Sequence, residues 1–554
     1  MTSESIDWDE DLPPEPEEEY QAFIRTLKRT DDFRLLFVRS SPAESEDLII
    51  RVKEELTEKR IEVLRFNEPI DNLYEIVKGL PNREQISILF VQGLEYSLYE
   101  YEKLKFGENS ERFSYSWKGI PPILNHLNLH RERFQDTFNI CFVFLLRFFS
   151  LKYFIHRAPD FFDWRSSVFE FPTKPKLLEQ ESSRIIKEGD YEKYGSLTLE
   201  QQVQKILEIQ ELLQEKYQLP NQKSDLLQKQ GILLVAAKEY EAALEVLKQA
   251  IDIKPDDDSA WNNRGNTLYY LGRYEDAIAS YDKALEFKPD DDSAWNNRGN
   301  TLYYLGRYED AIASYDKALE IKPDDDSAWY NRGLGLYYLG RYEDAVASYD
   351  KALEFKPDDD SAWNNRGNAL SDLGSYEDAV ASYDKALEFK PDDDSAWNNR
   401  GNALSDLGSY EDAVASYDKA LEFKPDNHSA WYNRGNTLYN LGRYEDAVDS
   451  YDKALEFKPN KDSAWYNRGL GLSDLGRYED AVASYDKALE IKPDYYQAWY
   501  KKASCYALQK NIVMGIENLQ QAINLNPEYQ EIVKTDTDFD AIRDSEEFQR
   551  LIDS

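Results

Sequence analysis

Tryptophan recurs every 34 residues through more than half of this chain, and this period limits its possible folds more than any other feature. The positions in phase are Trp261, Trp295, Trp329, Trp363, Trp397, Trp431, Trp465 and Trp499. Proline keeps the same interval, from Pro255 to Pro527. A strict period of this length is typical of one supersecondary unit stacked on copies of itself. Such an array offers a long binding surface rather than a catalytic pocket, which favours a binding function.

Each repeat has the pattern of two antiparallel helices. In the repeat 258–291, one apolar helix face consists of Trp261, Gly265, Leu268 and Leu271. The face of a second helix consists of Ala277, Ile278, Tyr281, Ala284 and Leu285. Gly272 favours a turn between them because glycine adopts left-handed backbone angles at little cost. Pro289 ends the second helix, since proline cannot continue one.

The spacing of these residues resembles the tetratricopeptide repeat, W-x-x-L-G-x-x-Y followed by A-x-x-x-F, A and P. The matching residues are Trp261, Gly265, Leu268, Ala277, Tyr281, Ala284 and Pro289. Arg264 and its equivalents stand where the family usually has Leu. This departure resembles a common variant, and we expect it to be compatible with the fold. The resemblance implies nine repeats over 224–529, folded as an all-α superhelical solenoid that binds proteins. The seven repeats from 258 to 495 are nearly identical, and the two terminal ones diverge.

Short apolar runs alternate with helical patterns between residues 16 and 175. The runs are 33–38, 61–66, 86–91, 140–146 and 168–171. This alternation predicts a mainly parallel sheet covered by helices, and therefore an N-terminal α/β domain ahead of the solenoid. The fold class expected for the whole chain is accordingly α+α/β.

The stretch APDFFDWRSSVFEF (158–171) is similar to the end of P-loop-like ATPase domains that are attached to bacterial repeat proteins. A phosphate loop needs G-x-x-x-x-G-K-[ST], because glycine amides and a lysine hold the phosphates. The first run is followed instead by Arg39, Ser40, Ser41 and Pro42. The resemblance therefore implies a degenerate domain that does not hydrolyse nucleotide and has no enzymatic activity.

Three segments lie outside these two regions. Residues 1–15 combine prolines with many carboxylates, which predicts a disordered acidic tail. Residues 176–223 have a polar helical pattern and are interpreted as a connector and a cap for the array. Residues 530–554 are expected to form closing helices, because the last repeat needs a polar outer face.

Charge and composition exclude several kinds of partner. The chain has 106 acidic and 67 basic residues, a net charge of −39, and such a surface repels nucleic acid. The most apolar stretch, 138–155, is interrupted by Arg147 and Lys152, so no membrane span is expected. The N-terminus lacks the pattern of a signal peptide, and the two cysteines form no pair. We expect a soluble cytoplasmic protein.

No cofactor or metal is predicted. His126 and His130 have the i, i+4 spacing of shared metal ligands, but no third ligand accompanies them. The KPDDDS loops lack the alternating aspartates and central glycine of a calcium loop. Helix capping explains these loops better than cation binding.

Asparagines on the first helix of each repeat are the candidate peptide-binding residues, since the family resemblance implies that these helices line an inner groove. Counting from the first residue of a repeat, position 6 provides Asn263, Asn297, Asn331, Asn365, Asn399, Asn433 and Asn467. Position 9 adds Asn266, Asn300, Asn368, Asn402 and Asn436. An amide offers a donor and an acceptor, the pair that a peptide backbone presents.

This arrangement resembles the asparagine ladder in the repeat domain of O-linked N-acetylglucosamine transferases, and it predicts recognition of an extended peptide through its main chain. Recent duplication copies every residue, however, so the alternative that these asparagines are merely solvated stays open.

The groove is not uniform along the array. Positions 12 and 13 are paired tyrosines in the first three near-identical repeats, of which Tyr270, Tyr304 and Tyr338 are counted as binding residues. In later repeats position 13 becomes Asp372, Asp406 and Asp474. Tyrosine gives rigid amphipathic contact area, and aspartate favours cations. We expect a protein or peptide ligand with aromatic or apolar residues at one end and basic residues at the other.

Three functions are compatible with these features. The first is a non-enzymatic interaction scaffold. The second is an NTPase-like sensor in which ligand capture by the array regulates the N-terminal domain. The third is a structural spacer without a peptide partner.

Overall fold

The computed structural model describes residues 16–98, 121–189, 191–215 and 217–553. The predicted acidic tail, 1–15, lies outside the described residues. The chain divides into two compact bodies, Met1–Thr301 and Leu302–Ser554. We number the 34-residue repeats 1 to 9, from 224–257 to 496–529. The division falls within repeat 3, so the first body contains the α/β region and the start of the array.

A five-stranded parallel sheet forms the centre of the first body. Its strands are β1 (Arg34–Arg39), β2 (Ile61–Arg65), β3 (Ile88–Gln92), β4 (Cys141–Leu146) and β5 (Ser167–Glu170). Their order in the sheet is β2-β3-β4-β1-β5, and every neighbouring pair is parallel. All six residues of β4 are buried, as expected for a central strand covered on both faces. The predicted parallel α/β domain is confirmed.

Helices cover both faces of this sheet. They are α1 (Pro16–Lys28), α2 (Pro42–Glu55), α3 (Leu73–Lys78), α4 (Pro122–Thr137), α5 (Phe148–Arg157) and α6 (Pro159–Phe162), with a 3₁₀ turn at Arg83–Gln85. Leu36 and Val38 of β1 pack with α1 and α2, whereas Leu35 and Phe37 pack with α3 to α6. Successive strand residues point to opposite faces, so one strand serves two cores.

The predicted connector does more than link the two regions. It contains α7 (Pro175–Glu188), α8 (Tyr191–Gly195) and α9 (Leu199–Leu213). On α9, Val203 and Leu207 join the core of the α/β domain. Ile206 and Ile209 of the same helix join the core of repeat 1. Helix α9 therefore has two buried faces and joins the sheet domain to the array.

The rest of the chain is a run of helical hairpins, as the repeat pattern predicts. The first helices of repeats 1 to 9 are Pro220–Ala236, Asp258–Tyr270, Asp292–Tyr304, Asp326–Tyr338, Asp360–Asp372, Asp394–Asp406, His428–Asn440, Asp462–Asp474 and Tyr496–Leu508. The second helices are Tyr240–Ile253, Tyr274–Phe287, Tyr308–Ile321, Tyr342–Phe355, Tyr376–Phe389, Tyr410–Phe423, Tyr444–Phe457, Tyr478–Ile491 and Ile512–Leu525. After the last repeat come Tyr529–Ile532, a 3₁₀ turn at Thr537–Phe539, and Glu546–Asp553.

The close approach of the two helices in a hairpin depends on the glycine at position 8. A Cβ built on Gly401 would lie 2.6 Å from Cε1 of Tyr417, whose ring is buried on the second helix. Gly408, in the turn between these helices, has φ +78°, a conformation that side chains other than glycine rarely adopt.

The arginine at position 7, the departure from the family pattern, connects three helices. In repeat 6, Nε of Arg400 donates to Asp384 of the preceding repeat at 2.6 Å. Its Nη1 donates to Ser416 on the second helix of its own repeat at 2.7 Å. The guanidinium also lies over the Trp397 ring, 5.8 Å from the centroid. A planar cation with several donors can make all three contacts, whereas leucine can make none of the polar ones.

Candidate functional site

All twelve candidate asparagines are half-buried on the first helices of their repeats. They are neither sealed in the core nor fully solvated. Their amides form a hydrogen-bond network between neighbouring repeats, which the sequence pattern does not show.

The amide nitrogen at position 6 donates to the preceding repeat. Asn399, Asn433 and Asn467 donate to the position-9 oxygens of Asn368, Asn402 and Asn436 at 3.1, 3.0 and 2.9 Å. The same nitrogens lie within 3.1–3.4 Å of an oxygen at position 5, on Asn364, Asn398 and Tyr432. In repeat 5 the nitrogen of Asn365 donates to Tyr330 at 2.8 Å.

The position-9 oxygen accepts a second hydrogen bond from the buried tyrosine of the second helix. Examples are Tyr281 with Asn266, Tyr383 with Asn368, Tyr417 with Asn402 and Tyr451 with Asn436, at 2.8–2.9 Å. Each amide is thus held in one orientation by its neighbours. Preorganisation of this kind lowers the entropy cost of binding a ligand.

The network divides donor and acceptor between the two positions. Both hydrogens of the Asn433 amide point to the preceding repeat, while its Oδ1 accepts no hydrogen bond from the part of the chain that the structure describes. The reverse holds at Asn402, where Oδ1 accepts two hydrogen bonds and Nδ2 donates none within the described ranges. Our expectation that each amide offers both functions therefore needs refinement, because in repeats 6 and 7 position 6 presents acceptors and position 9 presents donors. In repeat 5 the two positions bind each other instead, since Nδ2 of Asn368 donates to Oδ1 of Asn365 at 3.3 Å.

Repeats 4 and 8 interrupt the network. Position 9 is Leu334 in repeat 4 and Leu470 in repeat 8. The tyrosines that would donate to this position, Tyr349 and Tyr485, are buried with hydroxyls that have no hydrogen-bond partner. Burial raises the pKa of both phenols. Sequence reasoning missed these two unpaired hydroxyls. The change from Asn to Leu at position 9 of the same repeats was the signal that could have indicated them.

The predicted tyrosines are exposed on this face. Tyr270, Tyr304 and Tyr338 are 53%, 61% and 57% exposed. Tyr270 stacks on Tyr240 and Tyr338 stacks on Tyr308, with centroids 5.6 and 5.4 Å apart. Each stack joins position 13 of one repeat to position 17 of the preceding repeat, which leaves the outer ring face available for contact.

The aspartates at position 13 are not equivalent. Asp372 accepts from the hydroxyl of Tyr337, and Asp474 accepts from that of Tyr439, both at 2.6 Å. Asp406 follows a repeat with serine at position 12, and it accepts no such bond among the described residues. Partial burial raises the pKa of its carboxyl. Asp406 is therefore the aspartate on this face that best suits a cationic ligand group.

No metal centre is found among the described residues, since no three His, Cys, Asp or Glu side chains are placed to share an ion. The rings of His126 and His130 lie 4.4 Å apart, with Nε2 of His126 buried and without a partner. No helix of the described chain has the length and hydropathy needed to cross a bilayer.

Comparison with known families finds one description throughout the array, the tetratricopeptide repeat. Its models match residues 229–292, 262–326, 296–360, 330–394, 382–415, 401–442, 428–461, 463–495 and 496–529. Together these matches cover more than half of the chain. No curated protein matches the sequence.

Solved structures similar to the chain include YrrB, described as a TPR protein with an unusual peptide-binding site. It is 27% identical, covers 34% of this chain and 99% of its own, and gives a TM-score of 0.32. A tetratricopeptide repeat protein from Parabacteroides merdae is 22% identical over 45% of this chain and 98% of its own, with a TM-score of 0.35. MamA is 21% identical over 30% and 96%, with a TM-score of 0.29.

Proposed function

Because the chain belongs to the tetratricopeptide-repeat family, we propose that it is a non-enzymatic scaffold whose repeats hold extended peptide segments of partner proteins. The main support is the asparagine network of repeats 5 to 8. It presents fixed amide oxygens at position 6 of repeats 6 to 8 and fixed amide hydrogens at position 9 of repeats 6 and 7 along one face. An extended backbone offers the complementary N–H and C=O groups, whatever its side chains.

Side-chain preference comes from positions 12 and 13. In repeat 4, Tyr338 presents an exposed ring that suits an apolar or aromatic ligand residue. Asp406 in repeat 6 suits Lys or Arg. The proposed ligand is therefore an extended segment with an apolar residue at one end and a basic residue at the other.

Substitution of Asn402 and Asn436 by Asp tests main-chain recognition without dismantling the array. An aspartate oxygen still accepts from Tyr417 or Tyr451 and from the next asparagine, but it has no N–H to offer a ligand. Two lost hydrogen bonds of about 1 kcal/mol each weaken binding by roughly tenfold or more.

The measurement is fluorescence anisotropy with a peptide selected on the wild-type chain from a displayed random library. Asn524→Asp, which changes an exposed asparagine on the second helix of repeat 9, is the control for added negative charge. Equal affinity for the control and for the Asn402→Asp/Asn436→Asp chain would contradict main-chain recognition. A selection that recovers no binding peptide would favour the structural spacer.

The sensor function is the second candidate, and the parallel sheet is the observation that favours it. The carboxyl ends of its strands are where α/β folds bind ligands. The residues there are Arg39, Ser40 and Ser41 rather than a phosphate loop, and several glutamates face them. Titration of the full chain with ATP and GTP tests this function, and saturable binding to the α/β domain would favour it over the scaffold alone.

A further inference from the structure

A cavity of about 230 Å³ lies between the carboxyl edge of the sheet and the connector helices. We call it the edge cavity. Its wall includes Arg39, Arg147, Glu181, Glu208, Glu211 and Glu215. Arg39 belongs to β1, and Arg147 follows β4, whereas Glu208, Glu211 and Glu215 belong to or follow α9. All of them belong to the first body.

The position in the fold is a place where parallel sheets form crevices. The chain leaves β1 for β2 on one side of the sheet, and it leaves β4 for β5 on the other. The strands β1 and β4 are neighbours, so their connections diverge at the carboxyl edge. Ligands of open α/β sheets bind at this point of divergence.

Glu211 in the wall and Glu95, which does not line the cavity, share one guanidinium. Nη1 of Arg147 donates to Oε2 of Glu211 at 2.9 Å, and its Nε lies 3.7 Å from Oε1 of Glu95. The side chains of Glu211 and Glu95 are 15% and 11% exposed. Their other oxygens, Oε1 of Glu211 and Oε2 of Glu95, are buried and accept no hydrogen bond. This group has one more negative charge than positive charge when both carboxylates are ionised.

The other charged groups of the wall already have partners. Glu181 and Glu208 both bind Arg184. Glu215 accepts from the backbone N–H and the hydroxyl of Thr173 at 3.3 and 3.1 Å. The carboxylates of Glu181, Glu208 and Glu215 thus accept hydrogen bonds, whereas one oxygen of Glu211 and one of Glu95 accept none. Burial raises the pKa of both carboxyls, that of Glu211 to about 7, because their charge lacks full compensation.

We propose that the edge cavity binds a small organic cation whose ammonium or guanidinium group donates hydrogen bonds to Glu211, while the charge of Glu95 adds to the attraction. The terminal torsion of a glutamate side chain is soft, so a turn of the Glu211 carboxylate brings its free oxygen to the cavity. A cation supplies both the missing positive charge and the missing donors. Phosphate-bearing ligands are disfavoured at this wall, since they add negative charge to it. This site does not involve the repeats, so it is independent of the proposed peptide binding.

Isothermal titration of the full chain with agmatine at pH 7.5 and 0.15 M NaCl tests the proposal. Agmatine carries an ammonium and a guanidinium group and is small enough for the cavity. Tetramethylammonium is the second probe, because it is a cation without any N–H donor. The variants are Glu211→Gln and Glu95→Gln, which keep the side-chain shape. The control is Glu388→Gln, which removes the same charge at an exposed pair with Lys385 in the second body.

We expect saturable one-site binding of agmatine to the wild type and to Glu388→Gln, and affinity at least tenfold lower in Glu211→Gln and Glu95→Gln. Far-UV circular dichroism of each variant checks that it is folded. If one glutamate variant is unfolded, the folded one alone tests the proposal. Three results would overturn the proposal. They are no saturable binding by the wild type, equal binding of tetramethylammonium, and equal affinity in a folded glutamate variant and the control.

Discussion

Two tyrosines in the same sequence context give a sharp test of the amide network. The second helices of repeats 4 and 6 have the identical sequence YEDAVASYDKALEF, with Tyr349 in one and Tyr417 in the other. Both rings are buried, and both face a glycine at 2.6 Å from its built Cβ. Position 9, where the tyrosine hydroxyl would find its acceptor, is Leu334 in repeat 4 and Asn402 in repeat 6. The first helices also differ at positions 5, 10, 12 and 13. We predict that substitution by Phe has opposite effects at the two tyrosines.

The magnitude follows from the hydrogen bonds. Tyr417→Phe removes a 2.8 Å bond to Asn402 and costs about 1 kcal/mol. The hydroxyl of Tyr349 is buried without a partner, and such a group destabilises the fold by about 1–3 kcal/mol. Tyr349→Phe removes this penalty and is expected to stabilise the chain by about 1 kcal/mol. The two variants thus differ by about 2 kcal/mol in the free energy of unfolding.

The assay is urea unfolding of the full chain followed by tryptophan fluorescence, because eight of the eleven tryptophans keep the repeat period. The urea midpoint should rise for Tyr349→Phe and fall for Tyr417→Phe. A double-mutant cycle completes the test, since Leu334→Asn should make Tyr349→Phe as costly as Tyr417→Phe. Midpoints that fall equally in both single variants would refute the assigned role of position 9.

Three further predictions concern stability. Lys461 stands where an aspartate caps other first helices, and its ammonium lies over the ring of Tyr432. In urea unfolding, Lys461→Asp should be more stable than Lys461→Ala by about 1 kcal/mol. Both variants lose the ring contact, and only the aspartate can cap the helix N-terminus. Gly401→Ala should lower the urea midpoint. The clash of the new methyl group with Tyr417 costs about 1–3 kcal/mol, which exceeds the roughly 1 kcal/mol gained in helix propensity. An unchanged midpoint would contradict this prediction. Burial raises the pKa of Glu211 to about 7 from the 4.5 of an ordinary glutamate. Its stabilising contribution is therefore complete below about pH 4.5 and is lost as the pH rises through 7, a change of about 3 kcal/mol. Hydrogen exchange of 199–213, corrected for intrinsic rates, should show protection that falls between pH 5 and 8 in the wild type and stays level in Glu211→Gln.

Sequence periodicity is sufficient to predict the hairpins because the signals are local. Gly401 and Gly408 mark a close approach and a turn, and the buried faces follow the spacing of a helix. The strands of the N-terminal sheet lie within about two residues of the predicted runs, since a central parallel strand is apolar throughout. The resemblance of this domain to a degenerate ATPase has no support in the comparisons and stays a prediction.

The candidate site was only partly predictable. Position 6 and position 9 were identified from their recurrence, but their hydrogen bonds join different repeats. Whether the amide of Asn433 offers a ligand its oxygen or its nitrogen depends on where Asn402 of the preceding repeat lies. The unpaired carboxylate oxygens of Glu95 and Glu211 could not be predicted from the sequence either, because these residues are 116 positions apart in the chain.

The sequence by itself determined which residues form helices and strands, which faces are apolar, and where each repeat begins, since these depend on neighbours a few positions away. The tertiary structure decided which polar atoms are satisfied and which remain available. That outcome depends on distances of about 3 Å between atoms of different elements, and no periodic pattern specifies them.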